Sequence, residues 1–434
     1  MKTRFLSSTI ERIKNSEFVR NSATLLTANV VSQAIAIAVY PIVTRLYSAE
    51  DVGVYSLFLS IVSILNIIAT GRYESATVLP KEDRKAAAVF QLCLLINICL
   101  FVIILPICLF CKKPVAQLFD APALAHVLPL LPFVVLTAGL WQAINYLLIR
   151  EKRYKNISGY QLGQNIVNSG SKCLFGAAGL LQSGLIYATV LGQLSALAGS
   201  WVAARKKIGE YLSKPDSAEI KTTAKEYANF PKYELPHAVV NTLAGNLPIL
   251  ILSAYFGMKE IGFLSLGITL GFKPISLVSS SMGQVLYQKC AAAHQQKAPI
   301  KPFFSEFVKK ITLLTLPVFI ILYFCVEWLC GVIFGAEWTE AGFYTKFMLP
   351  WFFFVLPTGT LSFIPKIFSK QKDAMLIEFS YITLRIIALA VGIYFNNLLL
   401  AIILFSGISA IVVALQLLWY FSLVNRYERQ KQAL

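Results

Sequence analysis

Six ionisable side chains interrupt stretches of sequence that are otherwise almost entirely apolar. In a lipid bilayer each such side chain costs about 2.5–3.5 kcal/mol at the centre of a helix, so we expect each to face a polar cavity or a charged partner. The six are Arg72, Glu74, Lys172, Lys273, Glu378 and Arg385. Four are cations at several depths, which suits an anionic ligand; phosphate is the natural candidate, because Arg and Lys bind it by charge-assisted hydrogen bonds.

Structural ion pairing is the alternative role for these residues. Arg72 and Glu74 stand two positions apart, which would point them to different faces of a helix, so we expect no good pair between them. Glu378 and Arg385 are seven positions apart, on one face but two turns from each other. For each cation, cavity lining and pairing across helices both remain open.

Prolines and side-chain amides mark several apolar stretches as irregular. The prolines expected to interrupt or begin helices are Pro41, Pro236, Pro248 and Pro274. The amides of Asn29 and Asn241 lie within the first and the seventh stretch. Bent helices with polar groups facing a cavity are typical of proteins that open alternately to two sides of a membrane. Hydrogen bonding between helices explains the amides equally well.

The composition requires a second apolar environment besides the protein interior. Apolar residues make up 57% of the 434 residues and charged residues 14%, with a mean hydropathy of +0.65. In soluble domains about 45–50% of the residues are apolar and about 25% are charged. A span needs about 20 mostly apolar residues. The expected spans are 22–46, 52–78, 86–110, 127–149, 157–179, 181–203, 235–256, 261–287, 308–334, 343–365, 374–395 and 398–423.

Basic residues orient these spans. With the N-terminus inside, the cytoplasmic segments hold 30 of the 39 Lys and Arg residues, the external segments 5 and the spans 4. Such an excess places both termini in the cytoplasm. The expected fold class is an all-α membrane protein of about 12 transmembrane helices in two pseudo-symmetric six-helix lobes.

The two lobes repeat each other in sequence. Asp51, Gly53 and Ser56 match Glu260, Gly262 and Ser265 at a constant offset of 209 residues. Both motifs are expected in the external turn between the first two helices of a lobe, where Gly53 and Gly262, with Pro248 and Pro274, are candidate turn or gating residues. Parallel repeats of this kind are a transporter design.

These observations define five segments. They are an N-terminal cytoplasmic segment at 1–21, a lobe at 22–204, a cytoplasmic linker at 205–232, a second lobe at 233–424 and a tail at 425–434. The sequence contains no Walker loop, Rossmann glycine pattern or HExxH motif, and we expect no catalytic residue, cofactor or metal. The charge of +17 lies in short gaps between spans, so we expect no nucleic-acid partner.

Four stretches resemble bacterial oligosaccharide flippases of the O-antigen and capsule type, in the superfamily that includes multidrug-and-toxin extruders (the MATE-like fold) and lipid II flippases. They are 44–55, 68–80 with Gly71-Arg72-Tyr73-Glu74, 230–248 with Phe230-Pro231-Lys232-Tyr233, and 273–288 with Lys273-Pro274 and Gly283-Gln284. With the twelve-span layout, the resemblance extends over nearly the whole chain.

The resemblance implies a function and a location. Such proteins move undecaprenyl-pyrophosphate-linked oligosaccharide across the bacterial plasma membrane by alternating access. Arg72 and Lys273 fall in the second and eighth spans, helices that line the cavity in related flippases. With the other polar and ionisable residues of the spans, the candidate cavity residues are Arg72, Lys273, Arg385, Lys172, Glu74, Glu378, Asn29 and Asn241. Membrane lipid, a polysaccharide polymerase and a chain-length regulator are the partners that follow, and we expect a monomer.

Two other classes are less consistent with the sequence. A cation-coupled multidrug antiporter of the same superfamily should line its cavity with acids, whereas cations outnumber acids four to two within the spans. A membrane-bound polymerase or ligase usually needs a large external loop, and the longest one expected here is near 112–126.

Overall fold

The computed structural model of the chain describes residues 17–213, 217–296 and 298–432, and its long helices account for most of them. We number the long helices α1 to α12 and name the shorter ones by their residues. They are α1 Glu17–Leu46, α2 Ala49–Ile68, α3 Asp83–Phe110, α4 Leu131–Arg150, α5 Tyr154–Ala177, α6 Leu181–Ser213, α7 Leu235–Leu252, α8 Met258–Gln295, α9 Lys301–Phe334, α10 Thr339–Thr360, α11 Gln371–Tyr394 and α12 Leu398–Gln432.

The predicted all-α membrane fold is confirmed. Within the described residues, eleven helical segments are long and apolar enough to cross a membrane. The twelfth long helix is α5, which is rich in Asn, Gln, Gly and Ser and therefore falls below that level of apolarity.

Helix α5 is positioned by close contacts with α1 and α6. A Cβ added at Gly176 of α5 would lie 2.8 Å from the side chains of Leu46 and Tyr47. A Cβ added at Gly192 or Gly199 of α6 would come within 2.9 Å of α5 side chains. These glycines permit the close approach of backbones that holds polar helices together in lipid.

The matching motifs of the two halves begin helices rather than form turns. Ser48 caps α2: its hydroxyl accepts from the amide of Asp51 at 3.2 Å, and the Asp51 carboxylate accepts from the amide of Ser48 at 3.0 Å. At the start of α8, Gly257 takes the capping position and the Glu260 carboxylate fills the space that a side chain there would need. Gly53 and Gly262 are each the fifth residue of a helix, so the predicted position in a turn is wrong.

The prediction that prolines interrupt helices is wrong at three positions. Pro41, Pro248 and Pro274 lie inside α1, α7 and α8, which continue through them. Transmembrane helices tolerate proline because neighbouring groups satisfy the freed backbone carbonyl. Pro236, at the second position of α7, is where a proline fits the start of a helix.

The second predicted span, 52–78, is not one helix. Helix α2 ends at Ile68, and a 3₁₀ helix, Tyr73–Val78, follows a tight turn. Gly71 and Arg72 occupy the left-handed region with φ of 61° and 64°. A run of apolar residues cannot reveal such a break, because the turn depends on the conformation of only two residues.

The chain divides into two compact units between Asn246 and Leu247, within α7. In unit 1, Phe90 of α3 meets Tyr211 of α6 edge to face at 6.1 Å between ring centroids, and both belong to the same buried cluster as Ile144 and Leu147 of α4. In unit 2, α10 packs against α8, α9 and α12. Its Trp351 meets Phe405 of α12 at 5.4 Å.

The segment between α6 and α7, predicted as a linker at 205–232, is largely helical. Helix α6 continues to Ser213, and a helix Ser217–Glu226 and a π-helix Phe230–Glu234 follow. The helix Ser217–Glu226 lies against the start of α3 through Arg84–Glu219 and Lys85–Glu226 ion pairs of 2.5 and 3.3 Å. This segment therefore belongs to the structure of unit 1, and it leads directly into α7.

Candidate substrate-binding site

The left-handed turn at Gly71 and Arg72 creates a charged site in unit 1. A Cβ at Gly71 would lie 3.1 Å from Ile96, and the left-handed φ would strain any residue with a Cβ. Arg72 adopts the same conformation, which is unusual for a residue other than glycine. Non-glycine residues in this conformation are concentrated at functional sites.

Arg72 is held between two carboxylates, and we call these three residues the Arg72 cluster. Its Nη2 and Nε donate to Oε1 of Glu234 at 2.6 and 3.2 Å. Its Nη1 lies 3.4 Å from Oε1 of Glu74. The expectation that Arg72 and Glu74 do not pair is wrong, because the chain between them is not an α-helix.

The two carboxylates differ in how firmly they are held. The Glu74 side chain is fully buried, and its oxygens accept from Thr70 Oγ1 at 2.5 Å and from Gln142 Nε2 at 2.8 Å. The Glu234 side chain is 35% exposed and its remaining neighbour is the Ser75 hydroxyl at 3.5 Å. Glu74 is therefore a fixed part of the site, whereas Glu234 is the partner that an incoming ligand can replace.

The Arg72 cluster can bind an anion only by exchange. Glu234 occupies Nη2 and Nε of Arg72 and Glu74 lies beside Nη1, so an anion must displace Glu234 from Arg72 to gain a favourable contact. The guanidinium fork suits the exchange, because it binds a carboxylate or a phosphate in the same bidentate geometry. Arg72 retains 21% exposure of its side chain, which gives a ligand access.

Sequence reasoning missed Glu234 and Gln142. Glu234 ends the π-helix Phe230–Glu234, 162 residues from Arg72, so its contact depends on the tertiary fold. The signal available in the sequence was an acid next to the Phe230–Tyr233 motif. Gln142 is one amide in the apolar helix α4, and nothing in its neighbourhood indicates that it serves Glu74.

Lys172 occupies a different part of unit 1. Its ammonium group lies 4.9 Å from the centre of the Tyr55 ring, a cation–π contact between α5 and α2. The Tyr55 hydroxyl in turn shares a hydrogen bond of 2.9 Å with Thr189 of α6. Within the described residues, Lys172 makes no ion pair with Glu74 or Glu234.

Arg385 is enclosed within unit 2. Its side chain is 5% exposed, and the guanidinium lies 3.9 Å from the ring centre of Tyr381, 4.6 Å from Phe405 and 4.9 Å from Trp351. Its Nε donates to Ser409 at 2.9 Å. Three aromatic faces compensate for the lost water, and this enclosure favours a role in holding α10, α11 and α12 together.

The other candidates stand on helix surfaces of their own unit. Lys273 and Glu378 are half-buried on α8 and α11. Asn29 of α1 and Asn241 of α7 are exposed, and their side-chain amides make no hydrogen bond within the described residues. A polar or charged group on a membrane helix is favoured where it faces a polar cavity. The assignment of Lys273, Glu378, Asn29 and Asn241 to such a cavity stays a prediction.

Solved structures with the same arrangement of helices define the class. The fold is similar to that of a multidrug resistance MATE family transporter of the MOP superfamily in an inward-facing conformation, with a TM-score of 0.68, 12% identity and coverage of 92% of this chain and 96% of that one. It is also similar to the lipid II flippase MurJ in an inward closed conformation, with a TM-score of 0.64, 15% identity and coverage of 94% and 91%. The chain thus has the fold of MOP superfamily transporters.

Sequence comparison adds the family. Residues 42–342 match the family described as Polysaccharide biosynthesis protein, and the chain belongs to that family. The teichuronic acid biosynthesis protein TuaB of Bacillus subtilis (strain 168) is 21% identical over 262 residues, or 60% of this chain. That match spans 52% of the relative, about half its length.

Proposed function

We propose that the protein is a flippase that moves undecaprenyl-pyrophosphate-linked oligosaccharide across the bacterial plasma membrane, for O-antigen, capsule or another surface polysaccharide. The observation that carries the proposal is membership of the polysaccharide biosynthesis family by a chain with a transporter fold. A lipid-linked saccharide is the form in which hydrophilic glycan precursors meet a membrane transporter, and its head group is anionic.

The Arg72 cluster supports a specific way of binding that head group. A pyrophosphate oxygen takes the place of the Glu234 carboxylate on the Arg72 fork, while Glu74 holds the guanidinium in position from the other side. Release of Glu234 removes the ion pair that joins the end of the segment Phe230–Glu234, which leads into α7, to Arg72. Substrate binding is thereby linked to movement of that helix, as alternating access requires. Lys273 supplies a second cation on α8.

Substitution of the two cations tests the proposal. We expect Arg72→Ala and Lys273→Ala each to lower surface polysaccharide at least about tenfold, the loss of one charged hydrogen-bonding contact, with normal amounts of protein in the membrane. Arg72→Lys should retain part of the activity because it keeps the charge without the bidentate fork. Arg84→Ala, which removes an exposed cation paired with Glu219, is the matched control. Normal surface glycan in both alanine variants would refute the proposal.

A cation-coupled multidrug antiporter is the second candidate, and the two carboxylates around Arg72 favour it. In that case Glu234 would bind the cationic substrate or the coupling ion directly. Binding of a lipophilic cation such as tetraphenylphosphonium to purified protein distinguishes the two functions. In an antiporter, Glu234→Gln should abolish this binding. A flippase for anionic lipids should bind no lipophilic cation, with or without the substitution.

A further inference from the structure

Unit 2 contains an uncharged groove between α8 and the end of α10, in which polar and aromatic side chains stand on a largely apolar surface. Its volume is about 500 Å³, in the range of small-molecule sites. Successive turns of α8 contribute Ser276, Ser280 and Gln284, and the loop after α10 contributes Ser362 and Phe363. Its lining includes no Asp, Glu, Lys or Arg.

Several polar groups of the groove are available to a ligand. The side chains of Gln284, Tyr287 and Ser362 are exposed. Within the described residues, their amide and hydroxyl groups make no hydrogen bond. The hydroxyls of Ser276 and Ser280 donate to backbone carbonyls of their own helix at 3.2 and 3.1 Å, which leaves their oxygens free to accept. A ligand that hydrogen-bonds to these hydroxyl and amide groups therefore gains favourable contacts in the groove.

Aromatic rings close both ends of the groove. Phe272 stands at one end, and Tyr287 meets Phe363 at the other with ring centroids 5.4 Å apart. From position 272 to position 287 the axis of α8 advances about 22 Å. Gly283 allows α8 to lie close to the end of α10, because a Cβ at this position would come 3.0 Å from the Thr360 carbonyl oxygen.

In sequence, the internal repeat carries part of the charged site of unit 1 onto this groove, whereas Arg72 falls on Ser281, outside the groove lining. The offset of 209 residues carries Glu74 onto Gly283, Ser75 onto Gln284 and Tyr146 onto Val355. Corresponding pairs of helices, α2 with α4 and α8 with α10, pack against each other in the two units. Where unit 1 has Glu74 and Ser75, the groove has a glycine and an amide, and its lining is uncharged.

We propose that the groove lined by Ser276, Ser280, Gln284 and Tyr287 is a subsite for the neutral sugar residues of the lipid-linked saccharide. Sugars present hydroxyls to hydroxyl and amide partners and apolar C–H faces to aromatic rings, which is the combination that the groove offers. The inference rests on the proposed function and adds a role for this groove: it recognises sugar, whereas Arg72 and Lys273 are the candidates for the anionic head group.

Binding measurements on the full-length protein in lipid nanodiscs test the assignment. The probes are undecaprenyl pyrophosphate and the undecaprenyl-pyrophosphate-linked oligosaccharides extracted from the producing cells, detected by native mass spectrometry. We expect Ser280→Ala and Gln284→Ala each to weaken binding of the glycan-bearing lipid about fivefold, the fold-change of one typical hydrogen bond. Binding of the bare lipid should stay within about twofold of the unmodified protein, because the bare lipid makes none of these hydrogen bonds.

The same helix provides matched controls. Ser281 donates to the same Leu277 carbonyl as Ser280 but does not line the groove, and Gln288 is exposed one turn beyond Gln284. Ser281→Ala and Gln288→Ala should leave binding of both lipids unchanged. A blocking variant, Gly359→Leu, places a side chain where a Cβ has only ordinary contacts with Ser279 and should abolish the preference for the glycan-bearing lipid.

The outcomes separate this inference from the proposed function. If glycan-bearing lipid binds but the groove variants match their controls, the sugar subsite is refuted and the flippase proposal stands. If both lipids weaken equally, the groove binds the head group or the chain and the sugar subsite is likewise refuted. If the unmodified protein binds neither lipid, the proposed function fails and the subsite fails with it.

Discussion

At the scale of single residues, the main finding is that Arg72, a partly buried cation of unit 1, already has carboxylate partners. Arg72 is shared between buried Glu74 and half-exposed Glu234. A free guanidinium would bind phosphate more tightly but release it more slowly. Under the proposed function, competition by Glu234 would lower the affinity for the anion in the resting state and would return the site to its starting arrangement once the anion leaves. This is a useful property in a transporter, which must release its substrate.

Glu234→Gln tests this competition directly. We expect the variant to bind undecaprenyl pyrophosphate about tenfold more tightly, because an anion no longer has to displace a charged hydrogen-bond partner from Arg72. Native mass spectrometry of the purified protein in nanodiscs provides the measurement.

Glu219→Gln is the control for this substitution. It removes a carboxylate from the Arg84 pair, which lies away from the Arg72 cluster, and should leave lipid binding unchanged. Unchanged or weaker binding in Glu234→Gln would show that Glu234 does not compete with the head group.

At the scale of helices, the end of unit 1 that holds the Arg72 turn is fastened by a charge network. Asp83 at the start of α3 accepts from Arg150 at the end of α4 at 3.1 Å and from Lys207 of α6 at 2.8 Å. The Arg150 guanidinium also donates to the Pro80 carbonyl at 2.5 Å. The Asp83 carboxylate thus joins three helices, and Arg150 connects them to the loop that follows the 3₁₀ helix Tyr73–Val78.

Asp83→Asn should therefore destabilise unit 1. Loss of the charge leaves two partly buried cations without their shared partner, and we expect a cost of about 1–2 kcal/mol, reduced from the buried value because Asp83 is partly exposed. The thermal unfolding midpoint of the purified protein in detergent measures the effect.

The matched control is Asp373→Asn. Asp373 pairs with Lys370 within one turn at 3.5 Å, and both side chains are about half exposed, so this change should alter the unfolding midpoint little. Equal midpoints for the two variants would show that the Asp83 network does not stabilise the helix ends.

At the scale of the whole molecule, the orientation in the membrane remains a prediction from charge counting, and native cysteines offer a test. Cys111 is exposed at the end of α3, in a segment expected outside the cell. Thr222 is exposed in the helix Ser217–Glu226, in a segment expected inside. A membrane-impermeant maleimide should label Cys111 in intact cells.

In a Cys111→Ser background, Thr222→Cys should react only after the cells are permeabilised, because the excess of basic residues retains that segment in the cytoplasm. The Cys111→Ser protein without the new cysteine measures background labelling. Ready labelling of Thr222→Cys in intact cells would reverse the orientation.

The amino-acid sequence determined the membrane class, the twelve long helices and the two-fold repeat. These follow from local properties: an apolar run of sufficient length forms a helix in lipid, and the matching motifs at Asp51 and Glu260 begin equivalent helices wherever the rest of the chain goes. Even polar α5 was predictable, since its place between two apolar spans leaves few alternatives.

Only the tertiary structure decided what the charged residues face. Glu234 reaches Arg72 across 162 residues of chain, the left-handed turn brings Arg72 onto Glu74, and three aromatic rings from three helices enclose Arg385. A pattern of hydrophobicity records the cost of placing a charge in lipid, but not which distant group compensates for it. That information is held in the packing of helices, which brings together residues far apart in the chain.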